Sequence, residues 1–222
     1  MQNTPPLALF DLDHTLIPFD SGMAWTRFLV GRGVLPTAAP EAYLAACRGY
    51  VDGQLDIRAL HRATVLPLAA LDAPALDVLA GEFETAVAPR LPEQMLALVR
   101  GHRERGDVCA LVTATARFIA EPLARLFGLP HVLATTSARD AAGRFTGEID
   151  GEPCFREHKI SHVRAWLAQE GWAWPAEQCF YSDSINDLPL LEAVTRAVAV
   201  RPDPRLRAHA QQRGWTIIDP AS

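Results

Sequence analysis

From Pro92 to its end the chain alternates short apolar runs with stretches of helical periodicity, and that rhythm restricts the fold more than any other feature. Strand, helix and strand in succession imply a parallel sheet with helices on both faces. The expected order begins with a helix over 93–105 capped by Gly106, a strand over 108–113 ending in a hydroxyl, and a helix over 117–127 closed by Gly128. A strand over 131–135, a hairpin over 139–151 around Ala142-Gly143 and a helix over 157–169 follow. The rest reads as a strand over 179–181 running into Ser182-Asp183, a helix over 188–194, a strand over 197–200, a helix over 204–212 and a last strand over 215–218. One earlier run, Leu7-Ala8-Leu9-Phe10, reads as a buried strand that ends at Asp11.

Between these parts the pattern differs. From 21 to 88 apolar residues recur at helical spacing, as in Trp25-Phe28-Leu29, Tyr43-Leu44-Cys47 and Leu76-Leu79-Phe83. Turn signals such as Gly31-Arg32-Gly33, Asp52-Gly53 and Asp72-Ala73-Pro74 separate them. The stretch reads as an all-helical insert. With 222 residues, 49% of them apolar, the chain can bury one full core and carry such an insert.

Charge excludes some functions. The chain has 21 basic and 26 acidic residues, net −5, and no dense Lys/Arg run, so nucleic acid is not an expected partner. Cys47, Cys109, Cys154 and Cys179 form no CxxC pair and read as buried free thiols. The start, Met1-Gln2-Asn3, lacks a basic region, and Leu7–Phe10 is too short for a leader or a membrane span. A soluble, cytoplasmic protein is expected.

In parallel sheets, ligands bind beyond the carboxyl ends of the strands. Asp11 and Asp13, two apart on extended backbone, would point to one side and share a site. One ionised carboxylate there can attack phosphorus while the other gives a proton to the leaving alcohol and then activates water. Thr113, at the end of another strand, can hold phosphate oxygens together with the N–H groups of the next helix, or cap that helix. Lys159 is the only lysine. It can neutralise a transferring phosphoryl group, or be a solvated helix residue. Asp183 and Asp187, with Asp11, make a set of hard oxygen ligands suited to Mg²⁺; a capped helix start is the alternative.

These four elements, in this order, resemble the haloacid dehalogenase-like superfamily of phosphohydrolases. Phe-Asp-Leu-Asp-His-Thr-Leu at 10–16 matches its first motif, Thr113 the second, Lys159 the third and Ser-Asp-Ser-Ile-Asn-Asp-Leu-Pro at 182–189 the fourth. The helical insert between the first two looks like the cap of the phosphoserine phosphatase-like branch, which includes histidinol-phosphate phosphatases. The resemblance implies a Rossmann-like α/β core over 1–18 and 89–222 with a helical cap over 19–88. It implies Asp11 as nucleophile and Mg²⁺ ligand, and Asp13 as general acid/base, offering its backbone carbonyl to the metal. Thr113 and Lys159 would bind phosphate, and Asp183 would ligate Mg²⁺, supported by Asp187. Many members have Gly where this chain has Ser182; a tolerated variation is expected. His14 occupies a variable position and is assigned no role.

Asp20 stands about where phosphoserine phosphatases carry an acidic residue that reads the substrate amine. It would pair with an ammonium or imidazolium group of a small phosphorylated metabolite, or cap the helix starting near Gly22. Arg48, Arg58, His61 and Arg62 are possible cap contacts, most of them read as solvated. The whole reading is a Mg²⁺-dependent phosphomonoester hydrolase working through an aspartyl-phosphate. A phosphotransferase or mutase on the same fold is the competing enzyme, and a non-catalytic phospho-acceptor module the competing binding protein. In a halide-releasing dehalogenase Asp13 would have little purpose.

Overall fold

The computed structural model describes residues 5–51 and 54–220. The Asp52-Gly53 turn and the Met1-Gln2-Asn3 start lie outside the described residues. The strands are β1 (Leu7–Phe10), β2 (Val108–Ala116), β3 (His131–Thr135), β4 (Ser137–Arg139), β5 (Phe145–Ile149), β6 (Gln178–Ser182), β7 (Arg196–Val200) and β8 (Thr216–Ile218). Six of them form one parallel sheet in the order β3-β2-β1-β6-β7-β8, and β4 and β5 make a separate antiparallel hairpin. The α/β architecture expected from the alternating pattern is what the chain adopts.

Strand β1 explains the position of the site. It is central, with Phe10 in register with Leu111 of β2 on one side and Tyr181 of β6 on the other. All four residues are buried, Ala8 and Phe10 in one apolar core and Leu7 and Leu9 in the other. A strand buried on both faces reads as a continuous apolar run rather than an alternating one. Asp11 therefore emerges at the middle of the carboxyl edge, its N–H donating to Tyr181 O at 2.9 Å.

Helices cover both faces. Helices α5 (Glu93–Glu104) and α6 (Arg117–Leu126) supply Met95, Val99, Ile119 and Leu123 to the first core. Helices α7 (His158–Gln169), α8 (Leu188–Ala193) and α9 (Pro204–Arg213) supply Val163, Leu190 and Leu206 to the second.

The insert is helical: α1 (Ser21–Gly31), α2 (Ala39–Val51), α3 (Ile57–Val65) and α4 (Ala73–Val87), with no strand among its described residues. Asp20, Asp56 and Asp72 start three of these helices by accepting from Met23, Ala59 and Ala75 N–H. Trp25 of α1 meets Phe83 of α4 edge-on at 5.1 Å and Phe118 of α6 at 5.9 Å, so the insert shares the first core. Helix α3 lies against the β4–β5 hairpin. Arg62 pairs with Glu148, and Arg58 Nη2 reaches Gly151 O at 3.1 Å. No single helix among the described residues is long and apolar enough to cross a membrane.

Two local expectations change. Strand β2 continues to Ala116 instead of ending at Thr113, because it keeps pairing with β3 through a register shift between Thr113 and Ala116. Strand β1 ends at Phe10 and residues 12–15 form a turn, with His14 in the left-handed region at φ 57. Asp11 and Asp13 are thus placed by a turn and not by extended backbone.

Candidate active site

Asp11 leaves β1 beside the turn, and its carboxylate is held by two side chains. Lys159 Nζ donates to Oδ1 at 2.8 Å and Thr15 Oγ1 to Oδ2 at 3.3 Å. Lys159 is delivered by the first turn of α7 and is only 2% exposed. It also donates to Asp187 Oδ2 at 2.7 Å, so one ammonium bridges two buried carboxylates. Burial alone would lower its pKa, but Asp11 and Asp187 outweigh that and raise it above the ordinary lysine value. The alternative of a solvated lysine is excluded.

Asp183 follows β6, and Thr15 Oγ1 lies 3.3 Å from its Oδ1 as well. One hydroxyl thus touches both Asp11 and Asp183, which places those carboxylates side by side. Burial, then the charges of Asp11 and Asp187, push the Asp183 carboxyl up to about 8. Burial likewise pushes Asp11 up to about 7, with Lys159 opposing and Asp187 and Asp13 adding to the rise. Three carboxylates around one ammonium leave excess negative charge out of water, and a divalent cation would relieve it.

Among the described residues no three His, Cys, Asp or Glu side chains converge as a cage for a metal. The expected donor set needs only two, Asp11 and Asp183, because Asp13 would contribute its main-chain carbonyl. Mg²⁺ keeps several waters and takes one or two carboxylates, so the donor chemistry fits that ion.

Asp13 faces the other way. Its Oδ1 accepts from Ser21 N–H at 2.7 Å and its Oδ2 from Thr115 Oγ1 at 2.7 Å. Burial and then the neighbouring Asp20 charge raise its pKa, which favours the protonated form a general acid needs. Thr113 is buried, and its Oγ1 accepts from Thr115 N–H at 3.2 Å. It does not cap α6, whose N-cap, Ala116, makes no side-chain bond.

Asp187 is 2% exposed and receives Ser182 Oγ at 2.7 Å in addition to Lys159. The residue that replaces the common Gly is therefore a donor to the buried carboxylate. Asp20 caps α1 and accepts from Tyr43 OH at 2.8 Å; both bonds fall on Oδ1. The capping alternative is thus realised. A Cβ on Gly22 would collide with Tyr43, so the glycine lets that ring reach Asp20.

Several contributors carried no signal in the sequence reading. Thr115 and Ser21 hold Asp13. Arg201 reaches the main-chain oxygens of His14 and Thr15 and ties down the turn. Asp203 accepts from Ile185 N–H at 2.6 Å and braces the loop after Asp183. His61, one of the possible cap contacts, is buried and not solvated, because α3 packs against β5.

Beyond Asp13 a cavity of about 300 Å³ opens between the insert and the sheet. Asp13, Asp20 and Thr115 line one side, and Tyr43, Tyr50 and His61 of the insert line the other.

The haloacid dehalogenase-like hydrolase family model matches residues 8–192. The histidinol-phosphatase of Neisseria meningitidis serogroup C (strain 8013) is 36% identical over 217 residues, covering 96% of this chain and 98% of that one. A crystal structure of a protein of unknown function from Bordetella pertussis Tohama I superposes with a TM-score of 0.91 at 46% identity, covering 98% and 99% of the two chains. A substrate-bound phosphoserine phosphatase complex shares the fold, with a TM-score of 0.68 at 19% identity over 99% of this chain and 95% of that one.

Proposed function

The chain belongs to the haloacid dehalogenase-like hydrolase family, and on that premise we propose that this phosphatase hydrolyses a small phosphomonoester through an aspartyl-phosphate on Asp11. The observation that carries the reading is the Lys159 bridge between Asp11 and Asp187, with Thr15 spanning Asp11 and Asp183. It brings one ammonium and three carboxylates together at the carboxyl edge of the sheet, which supports Asp11 as the nucleophile.

In this reading Asp11 Oδ attacks phosphorus and the bond to the leaving oxygen breaks. Asp13 gives its proton to that oxygen, releasing the alcohol. The Asp13 carboxylate then takes a proton from water, which attacks the phosphoryl group and frees Asp11 and inorganic phosphate. Lys159 and Thr113 hold phosphoryl oxygens, and Lys159 offsets their charge. Asp11, Asp183 and the Asp13 carbonyl would hold Mg²⁺, with Asp187 in support. The chemistry such an ion supplies is further neutralisation of the phosphoryl oxygens and of Asp11.

Residues 19–88 act as the cap, and 1–18 with 89–222 as the core. Cap residues line the cavity beyond Asp13, which supports a role in choosing the alcohol and excluding water. Asp20, which lines this cavity, would receive a substrate ammonium. The names of the relatives point to phosphates of amino alcohols, of the histidinol or serine kind. Free thiols at Cys47, Cys109, Cys154 and Cys179 support a reducing compartment, the cytoplasm.

Phosphate release from a panel of small phosphomonoesters, with Mg²⁺ and with EDTA, tests the reading. Metal-dependent release should fall at least ~10³-fold in Asp11→Asn. Release that survives the substitution would overturn the nucleophile assignment. Product analysis with added alcohol separates hydrolysis from transfer.

A further inference from the structure

Three residues at the carboxyl end of β7, Arg201-Pro202-Asp203, touch both segments from which the metal ligands would come. The inference rests on the reading above, in which Asp11 and the Asp13 carbonyl after β1 join Asp183 after β6 around Mg²⁺.

The first segment is gripped by Arg201. Its Nε donates to His14 O at 3.0 Å and its Nη2 to Thr15 O. The second is gripped by Asp203. Its N–H donates to Asp183 O at 2.8 Å, and its Oδ2 accepts from Ile185 N–H at 2.6 Å. The three residues are themselves fixed from behind. Arg201 N–H donates to Ile218 O of β8 at 2.8 Å. Pro202 is buried, with φ locked by its ring. Asp203 Oδ1 caps α9, accepting from Arg205 and Leu206 N–H at 2.8 and 2.9 Å.

Strand pairing alone does not supply this link. Strand β6 lies between β1 and β7, so no ladder bond joins the turn after β1 to β7. Two strand spacings are ~9.5 Å, a gap that calls for a long side chain. The guanidinium fork takes two adjacent carbonyls at once, which fixes the orientation of the turn as well as its position. Both ends of the contact are strained, with His14 at φ 57 and Arg201 at φ 43 in the left-handed region. Non-glycine residues persist there where the surroundings over-determine them, and such residues gather at functional sites.

The spacing of the two segments matters for the ion. Asp11 and Asp183 each lie 3.3 Å from Thr15 Oγ1, and their like charges push the segments apart whenever both are ionised. Mg²⁺ demands near-ideal octahedral geometry at ~2.0–2.1 Å, so a small drift between the segments lowers its affinity.

We propose that Arg201 and Asp203 are positioning residues that hold the two ligand-bearing segments at the spacing Mg²⁺ requires. Neither side chain ligates the ion. Arg201 has no acceptor, and both Asp203 oxygens are taken by main-chain N–H groups. The guanidinium also faces the Asp183 charge. As a bare charge it opposes a cation there, and as a clamp it favours one, so the two roles predict opposite signs.

The test is the binding of Mn²⁺, which takes the same octahedral oxygen sites. Binding is followed without substrate by the electron paramagnetic resonance signal of the free ion, and Mg²⁺ is then added as competitor. Arg201→Gln removes a positive charge and Asp203→Asn a negative one. The asparagine oxygen stays with the two N–H groups of α9, so its amide faces Ile185 N–H and that bond alone is lost. Acting as charges, the residues would shift affinity in opposite directions, tighter in Arg201→Gln and weaker in Asp203→Asn. Acting as a clamp, both weaken Mn²⁺ and Mg²⁺ binding ~10–100-fold. The Mg²⁺ concentration for half-maximal phosphate release should rise in parallel, with most of kcat restored at saturating Mg²⁺. Melting in EDTA reports folding separately. Should Arg201→Gln not fold, Arg201→Lys replaces it: the charge stays and the fork is lost, so a clamp predicts weaker binding and a charge no change. Unchanged or tighter binding in either folded variant would overturn the proposal and leave the metal site intact. A wild type that takes up no Mn²⁺, or an Asp183→Ala that binds it equally well, would overturn the metal-site reading and this inference together.

Discussion

Lys159→Met is the sharpest probe of the site's electrostatics. The substitution keeps the aliphatic stem and removes the ammonium that sits 2.8 Å from Asp11 and 2.7 Å from Asp187. Both carboxylates are buried, so neither can recover water. Removing one partner of a buried ion pair costs ~3–5 kcal/mol, and here two carboxylates lose the same partner. Thr15 still donates to Asp11 and Ser182 to Asp187, which offsets ~1 kcal/mol at each. A net loss of at least ~4 kcal/mol at pH 8 in EDTA follows, a large share of a typical ~5–15 kcal/mol stability. The loss has a pH signature. The Asp11 carboxyl is already raised to about 7, and without Lys159 it rises further. An acid with a raised folded-state pKa binds more protons folded than unfolded, so stability increases as pH falls through that pKa. Denaturant midpoints of wild type and Lys159→Met at pH 8 and pH 6 should therefore show the deficit shrinking by ~1–2 kcal/mol at the lower pH. A deficit below ~1 kcal/mol at pH 8, or one equal at both pH values, would refute the picture of one ammonium compensating two buried carboxylates.

Two further outcomes are expected. Thr115→Val removes the 2.7 Å bond to Asp13 Oδ2 and should lower kcat ~10–100-fold with a smaller change in KM, measured by steady-state phosphate release. Ser182→Gly deletes the 2.7 Å donor to Asp187 and should cost ~1 kcal/mol, or ~2–4 °C in Tm, whereas Ser182→Val adds bulk in a fully buried position and should cost more.

Much of this arrangement was legible in the sequence because strand ends announce themselves. Leu7–Phe10 is a run too short and too apolar for anything but a buried strand, and the residue after it had to lie at the sheet edge. Asp183 follows from the same logic on β6. Lys159 stood out through its solitude in the composition, although its burial did not. What escaped was long-range. Thr115 meets Asp13 across 102 positions, and a strand judged to end at Thr113 hid it in the following loop. Arg201 acts on main-chain oxygens far away in sequence, and no side-chain pattern records such a contact. His61 looked solvated because its burial comes from β5, which packs on α3 only in the folded molecule.

The solitary lysine has a practical corollary. With Lys159 sealed at 2% exposure and held protonated by its two carboxylates, the protein offers amine-directed reagents no accessible side chain. Ester-activated dyes, coupling resins and amine cross-linkers will find the chain terminus and little else. Any acylation of Lys159 that does occur reports a molecule whose ion pairs to Asp11 and Asp187 have parted. The extent of labelling over time thus becomes a clock for opening, readable by mass on a single peptide without any engineered probe.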